Sequence, residues 1–320
     1  MLFTYIKGVM GHVMWQWLKG WLILLAMAGL FIYIPEITAW VAGVLKGWGY
    51  APDGFEAKAF DNQRKVLFWS ALLSWLSIEF QGWTLLKRQA HRFEEPEVQQ
   101  MVAALAKKAR LWRMPTVITL PEGMVNAAAT ESLIWGNKVV VMGEIAQVLK
   151  KDELEVVLAH ETAHLKHLDI WALLVAHVGS RVLSWQKWAV ASAAIYSAIQ
   201  YMNGKGTWGE LAFLLTAFGL LFGLHVVYQL LELAHSRCRE YLADAGGIAL
   251  TSWQHAPALL TGLLRVGHHM TGWHPFKLLR RESALLQAHP AMIDRGEALG
   301  VQVQVARNGD VNVAGTIVEA

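Results

Sequence analysis

Apolar residues in this chain gather into long runs, with shorter periodic segments between them. Four runs approach the roughly 20 residues that a helix needs to cross a bilayer core. The first extends from Trp21 through Ile34 and past Pro35 to Leu45, and Pro35 is expected to kink it. The second, Val66 to Leu86, carries Glu79, Gln81 and Trp83 toward its end. A lone carboxylate in lipid is costly, so Glu79 is expected near the interface or turned toward protein. The third, Trp171 to Ile199, holds His177, Arg181 and Lys187 and is expected to lie in lipid only from Trp188 onward. The fourth, Leu211 to Ala234, is the cleanest and leads straight into Glu240. His225 and Glu232 within it read as polar groups paired inside a bundle.

Elsewhere the period shortens. Glu95 to Met114 sets Val98, Met101, Val102, Leu105 and Ala109 near helical spacing, which predicts an amphipathic helix. Thr116 to Leu120 reads as a strand ended by Pro121-Glu122-Gly123, and Lys138 to Met142 as a second. Glu144 to Leu149 opens a helix, and Lys150-Lys151-Asp152-Glu153 caps the turn before the next. Near the C-terminus, Val301 to Val305 and Val311 to Val313 alternate at period two around Asn308-Gly309, a strong hairpin turn. A β-hairpin from about Leu299 to Val318 is therefore expected. It would pair with the sheet, cover a cleft or meet a second subunit or membrane partner.

These elements predict a mainly α membrane protein of about four transmembrane helices, with a small β-sheet and a C-terminal β-hairpin. The expected division is a membrane region over 1–92, two parts of one catalytic domain at 93–168 and 236–298, membrane-associated helices over 169–235, and the hairpin at 299–320. Composition agrees: 55% of residues are hydrophobic, only 17% are charged, and there are 16 tryptophans. Soluble domains carry about a quarter charged residues. A net charge of +3, evenly spread, argues against nucleic acid as a partner and suits attraction to anionic lipid. Cys238 is the only cysteine, so no internal disulfide is possible.

The chemistry lies in Val156-Val157-Leu158-Ala159-His160-Glu161-Thr162-Ala163-His164. On a helix, positions four apart share a face, so His160 and His164 can reach one metal ion. Zinc with a water in an open position is a hydrolytic site, and Glu161 is placed to take the proton from that water. A third protein ligand is needed. In Ser236-Arg237-Cys238-Arg239-Glu240-Tyr241-Leu242-Ala243-Asp244, Glu240 is assigned to the metal, one Zn2+ per chain. Asp244, one turn further, is set to orient a ligand imidazole, and Arg237 is assigned to the same outer layer. The bland alternative for Glu240 is an acidic patch on an ordinary helix.

On these residues the chain resembles the HtpX-type membrane zinc metalloproteases, a gluzincin family that also contains the CAAX prenyl proteases. The matches run in order from Asn126-Ala127-Ala128-Ala129-Thr130, through Lys138 to Met142 and the His160 to His164 motif with Asp169, to Ser236-Arg237 with Glu240, Tyr241 and Asp244. The last is His289-Pro290 with Arg295 beyond. Ala128 replaces the family's aromatic residue, and Glu131-Ser132 stands where a glycine is expected. The resemblance implies that glutamate is the third ligand, that Asn126, Ala127, Ala128 and Val140 line a cleft where a peptide adds as a strand, and that His289 and Arg295 lie near the active site. Those two would act catalytically by stabilising the oxyanion; the alternative is that they only brace the C-terminal segment.

The expected activity is endopeptidase cleavage of membrane-associated or misfolded proteins, a protein quality control role. A CAAX-type processing protease is one alternative. A silent membrane adaptor, its metal site closed by His289 or Asp244, is another. The basic cluster from Lys87 to Arg113, set against only Lys205 in the turn between the third and fourth runs, puts the active site on the cytoplasmic side by the positive-inside rule, and a bacterial inner membrane is the expected location.

Overall fold

A computed structural model describes residues 2–47, 55–88, 96–120, 125–142, 145–271, 289–305, 311–314 and 316–318. The expected turns at Pro121-Glu122-Gly123 and Asn308-Gly309 lie outside them. Two long helices open the chain, α1 (Leu2–Gly47) and α2 (Phe55–Arg88). Pro35 lies inside α1 without ending it. Then come α3 (Pro96–Ala109), β1 (Thr116–Leu120), β2 (Asn126–Thr130), β3 (Lys138–Met142) and the short α4 (Ile145–Val148). The remainder is helical, α5 (Lys151–His167), α6 (Asp169–Met202), α7 (Trp208–Leu250), α8 (Ala256–Thr271) and α9 (Met292–Leu299), before β4 (Val303–Val305), β5 (Val311–Val313) and β6 (Thr316–Val318).

The chain divides into two compact units. One holds residues 22–76 and 172–232, where Met27, Ala176, Val182, Leu183 and Tyr228 form a small core. Tyr228 lies across Gly179, where an added Cβ would meet its ring, and its hydroxyl donates to the Val175 carbonyl at 3.3 Å. The polar residues on these helices find one another. Lys187 Nζ lies 3.2 Å from His225 Nδ1, Gln186 donates to Gln63 at 2.6 Å, and His177 Nε2 is 3.6 Å from Glu232. His225 and Glu232 are thus paired, as expected of polar residues on such helices.

Among the described residues, one helix, α7, is long and apolar enough to cross a membrane, and only 11% of its most apolar window is buried. A core helix of a soluble protein would be mostly buried. The second, third and first apolar runs do form single long helices, but α2 and α6 carry charged residues such as Glu79, Arg181 and Lys187 along their length.

The other unit holds residues 1–21, 77–171 and 233–320. Its sheet runs β1-β3-β2, with β1 parallel and β2 antiparallel to β3, and β2 at the edge. The Asn126 to Thr130 segment, whose alanines carry little strand propensity, was not predicted as a strand; pairing with the valine-rich β3 makes it one. One face of the sheet packs on α3 and α5 through Val98, Val102, Leu105, Val139, Val141, Leu154 and Leu158. Glu153 accepts from the Lys150 N–H at 3.0 Å and from Thr261 Oγ1 at 3.0 Å, so the acidic first turn of α5 caps it and ties it to α8.

The C-terminal strands form a separate antiparallel sheet, order β4-β5-β6, with one strand more than the expected hairpin. Among the described residues it does not pair with the first sheet. Val311 and Val313 bury against the α8 side of the core, and Gly296 in α9 lets Val303 and Leu260 approach.

Candidate metal centre

Helix α5 sets His160 and His164 one turn apart, and α7 crosses close beside it. The closeness has a local cause: a Cβ on Gly247 would stand 2.8 Å from the His160 backbone nitrogen, and one on Gly246 2.7 Å from Ala163 Cβ. Two successive glycines thus remove the atoms that would hold the helices apart. Glu240, two turns before them on α7, then reaches both imidazoles. His160 Nε2 and His164 Nε2 are 3.2 Å apart, and the Glu240 oxygens lie 3.7 and 3.8 Å from them. Among the described residues these three are the one His/Cys/Asp/Glu group compact enough to hold a metal ion.

The donor set fits zinc. Two nitrogens on one tetrahedral zinc, each about 2.0–2.1 Å from it, stand about 3.3 Å apart. The far nitrogen of each ring faces a carboxylate, as metal-binding histidines require. His160 Nδ1 is 3.0 Å from Asp244 Oδ1, and His164 Nδ1 is 2.5 Å from Asp169 Oδ2. Asp169 reaches back because Leu168 adopts a left-handed conformation (φ 55°) that ends α5, its N–H closing on the His164 carbonyl. Arg239 Nε lies 3.3 Å from Asp169. Arg239, two residues beyond the expected Arg237, thus joins the outer layer of the site through Asp169.

Arg295 donates through Nε to Asp244 at 2.8 Å and through Nη2 to its other oxygen, and Nη1 is 3.5 Å from Glu240. The guanidinium is buried against Asp244 and Glu240, which favours the bracing alternative over the expected oxyanion role. It braces the ligand and its neighbour. His289 is exposed, with Nδ1 3.2 Å from Glu240 Oε2. Burial opposes charge on Glu240, yet the His289 hydrogen bond, the Arg295 charge and the two histidines hold it well below the usual carboxylate range. Burial likewise opposes charge on Asp244, and Arg295 beside it outweighs that. Glu161 differs: burial pushes its pKa up, against the pull of His160 and His164, and a backbone hydrogen bond from Ala129 holds it at β2. A carboxylate raised toward neutrality is suited to taking and returning a proton.

Of the residues expected to line the cleft, Asn126, Ala127 and Ala128 lie on β2, whose outer edge pairs with no strand among the described residues. Ala127 turns its side chain into the core. Val140 is a correction: it is buried in the central strand, its neighbours Ile118 and Ala128 on either side, so its backbone has no open edge to offer. Asp169, Arg239 and Glu131 complete the surroundings of the histidines. Asp169 left a signal in the sequence, its offset of five from His164, and Glu131 left one as a departure from the expected glycine; Arg239 left none.

A metal-dependent hydrolase centre is the class of site that this donor set, with a raised carboxylate beside it, defines. The family model described as peptidase family M48 matches residues 92–302, about two thirds of the chain, and the chain belongs to that family. Curated relatives include the Protease HtpX homolog of Ralstonia pickettii (strain 12J), 25% identical over 279 residues, covering 87% of this chain and 85% of the relative. The Protease HtpX homolog of Thermococcus kodakarensis is 28% identical over 234 residues, covering 72% and 76%. That of Sulfurihydrogenibium sp. (strain YO3AOP1) is 29% identical over 249 residues, covering 78% and 76%. Among solved structures, the crystal structure of S. mikatae Ste24p superposes with a TM-score of 0.55 at 17% identity, covering 88% of this chain and 67% of that one, which shows a shared fold.

Proposed function

We propose that this chain is a membrane-embedded zinc endopeptidase that hydrolyses peptide bonds of membrane-associated or misfolded proteins. The observation that carries the reading is the convergence of His160 Nε2, His164 Nε2 and Glu240 within 4.8 Å, with Glu161 alongside and the β2 edge open. His160, His164 and Glu240 would hold one zinc per chain, which would supply Lewis acidity toward a carbonyl and lower the pKa of a water. Glu161 is placed to take a proton from an attacking water and to return it to the departing amine. A peptide lying along Asn126 and Ala128 gains backbone hydrogen bonds from β2 without strict sequence choice. His289, exposed beside Glu240, is the donor placed to meet a developing oxyanion; Arg295 acts by holding Asp244.

The membrane reading extends to about four spans, α1, α2, α6 and α7, with the sheet-bearing unit on the cytoplasmic side of a bacterial inner membrane; the basic residues after α2 support that orientation. Protein or peptide substrates and the bilayer are the proposed partners, together with a second copy or a membrane partner at the C-terminal strands. A structural metal site is disfavoured because Asp244 faces the outer nitrogen of His160 and is held there by Arg295, which makes it a support and not a fourth ligand.

The test is cleavage of an unfolded model protein by detergent-purified wild type and Glu161→Ala, with zinc quantified in both. One zinc in each, with cleavage reduced by about 10²–10⁴-fold in the variant, is expected. Equal zinc and no cleavage by either protein would overturn broad quality control. A single defined product would move the reading to a processing enzyme.

A further inference from the structure

The loop between β2 and β3 spends its polar groups inward and its apolar groups outward. Glu79, near the end of the α2 apolar run, is buried, and its carboxylate accepts from Ser132 Oγ at 2.5 Å, the Leu133 N–H at 2.8 Å and the Ile134 N–H at 3.2 Å. The Trp135 N–H donates to Ser132 Oγ at 2.8 Å, and the Gly136 N–H to the Ser132 carbonyl at 3.0 Å. Several carbonyls are served as well. Lys138 Nζ donates to those of Trp135 at 2.8 Å and Gly136 at 3.0 Å, and Arg113 to that of Leu133 at 2.9 Å. Meanwhile Leu133, Ile134 and Trp135 point their side chains outward and are exposed.

A second loop stands at the same end of the sheet, because β1 and β3 are parallel and begin side by side at Thr116 and Lys138. It exposes Trp112, at 70%, and Met114. The last turns of α2 complete the surface. Gly82 lets that helix lie against Ser132 and Trp135, Phe80 is exposed, and Lys87 Nζ sits 4.1 Å from the Trp83 ring centroid. Exposed tryptophans mixed with Arg113 and Lys87 have the composition of a membrane–water interface. In the Leu133–Trp135 loop the three N–H groups and the Leu133 and Trp135 carbonyls are already satisfied within the protein, which lowers the cost of leaving water.

We propose that the Trp112–Met114 and Leu133–Trp135 loops are a bilayer seat, dipping into the lipid interface where α2 leaves its apolar run. Continuity with that run chooses lipid as the occupant over a second copy or another protein. The proposal rests on the membrane reading above and is separable from the protease chemistry.

The test places a nitroxide at Ile134→Cys and, separately, at Trp112→Cys in the full chain, with Cys238→Ala as background, in nanodiscs of phosphatidylcholine and phosphatidylglycerol. Accessibility to oxygen is compared with accessibility to a water-soluble nickel chelate. The oxygen-to-nickel ratio at both positions is expected to exceed that at the exposed Gln304→Cys by at least about threefold. Adding Glu79→Ala is expected to raise nickel access at Ile134→Cys by freeing the loop. A ratio equal to that at Gln304→Cys, or low access to both reagents as under a protein partner, would overturn the seat. A probe at Leu215→Cys on α7 separates the two ideas: lipid-like there and water-like at Ile134 removes the seat alone, whereas water-like at both removes the membrane reading as well.

Discussion

The two halves of α7 are one helix built for two surroundings. From Leu211 to Leu231 it has no Asp, Glu, Lys or Arg, and it exposes Leu215, Leu220, Phe222 and Val227. From Leu233 to Leu250 it buries His235, Glu240 and Asp244. The first half places its apolar side chains outward and pairs its one imidazole, His225, with Lys187. The second pairs its carboxylates inward, with His160, His289 and Arg295. Helix propensity is indifferent to this inversion. What differs is which groups have partners, and substitutions in the two halves should therefore fail for opposite reasons.

The largest effect is expected at Asp244→Ala. It leaves the buried Arg295 without its bidentate partner, which typically costs about 3–5 kcal/mol, and removes the support behind His160, which typically weakens metal binding about 10–100-fold. Zinc competition with a chelator and thermal unfolding read the two parts separately. Undiminished zinc affinity would mean that the carboxylate plays no part in orienting the ligand.

Charge tests the other half. Leu220→Arg puts a guanidinium on the exposed apolar face of α7 and should cost about 2.5–3.5 kcal/mol of membrane insertion. Ala249→Arg, also exposed but on the metal-bearing half, should fall within about 0.5 kcal/mol of wild type, as surface substitutions do. Equal behaviour of the two variants in a membrane-insertion assay would erase the distinction between the halves.

A smaller contrast is steric. Gly247→Ala drives a Cβ against the backbone of α5 beside His160, where nothing can rotate away; overpacking of this kind costs about 1–3 kcal/mol and should loosen zinc. Gly179→Ala instead drives a Cβ into the buried Tyr228 ring of the other unit, so it should lower the melting temperature and leave zinc affinity unchanged. Zinc titrations of both variants check this pair.

Much of the arrangement was legible in the residues. The His160 to His164 spacing, Glu240 at the end of an apolar run, and His289-Pro290 with Arg295 all pointed to residues that the fold brings within reach of one another. Other features were hidden, each for a physical reason. Gly246 and Gly247 look like helix weaknesses until the facing helix is known. Asn126 to Thr130 lacks strand-forming side chains and is a strand because of its neighbour. The direction of Arg295 depends on the Asp244 carboxylate, 51 positions away, and sequence spacing carries no such vector. Glu79 could be narrowed only to an interface or a protein partner; its three donors come from a loop more than 50 residues on.

Glu131 offers the finest test, since it stands where the resemblance leads one to expect glycine. It is buried, its Oε2 has no hydrogen-bond partner among the described residues, and Asp169 lies near. Burial raises its pKa to about 7; Asp169 adds to the rise, while the Ile170 backbone and Arg239 oppose it. A carboxyl whose folded pKa exceeds its unfolded value of about 4.5 binds its proton more tightly when folded, so stability falls as pH rises between those two values and levels off above 7. Glu131→Gln keeps the shape and removes the titration. Its melting temperature should match wild type near pH 4, pull ahead progressively from pH 4.5 to 7, and hold a constant lead above that. Parallel curves for the two proteins across the range would show that the folded chain accommodates the Glu131 charge as readily as water does.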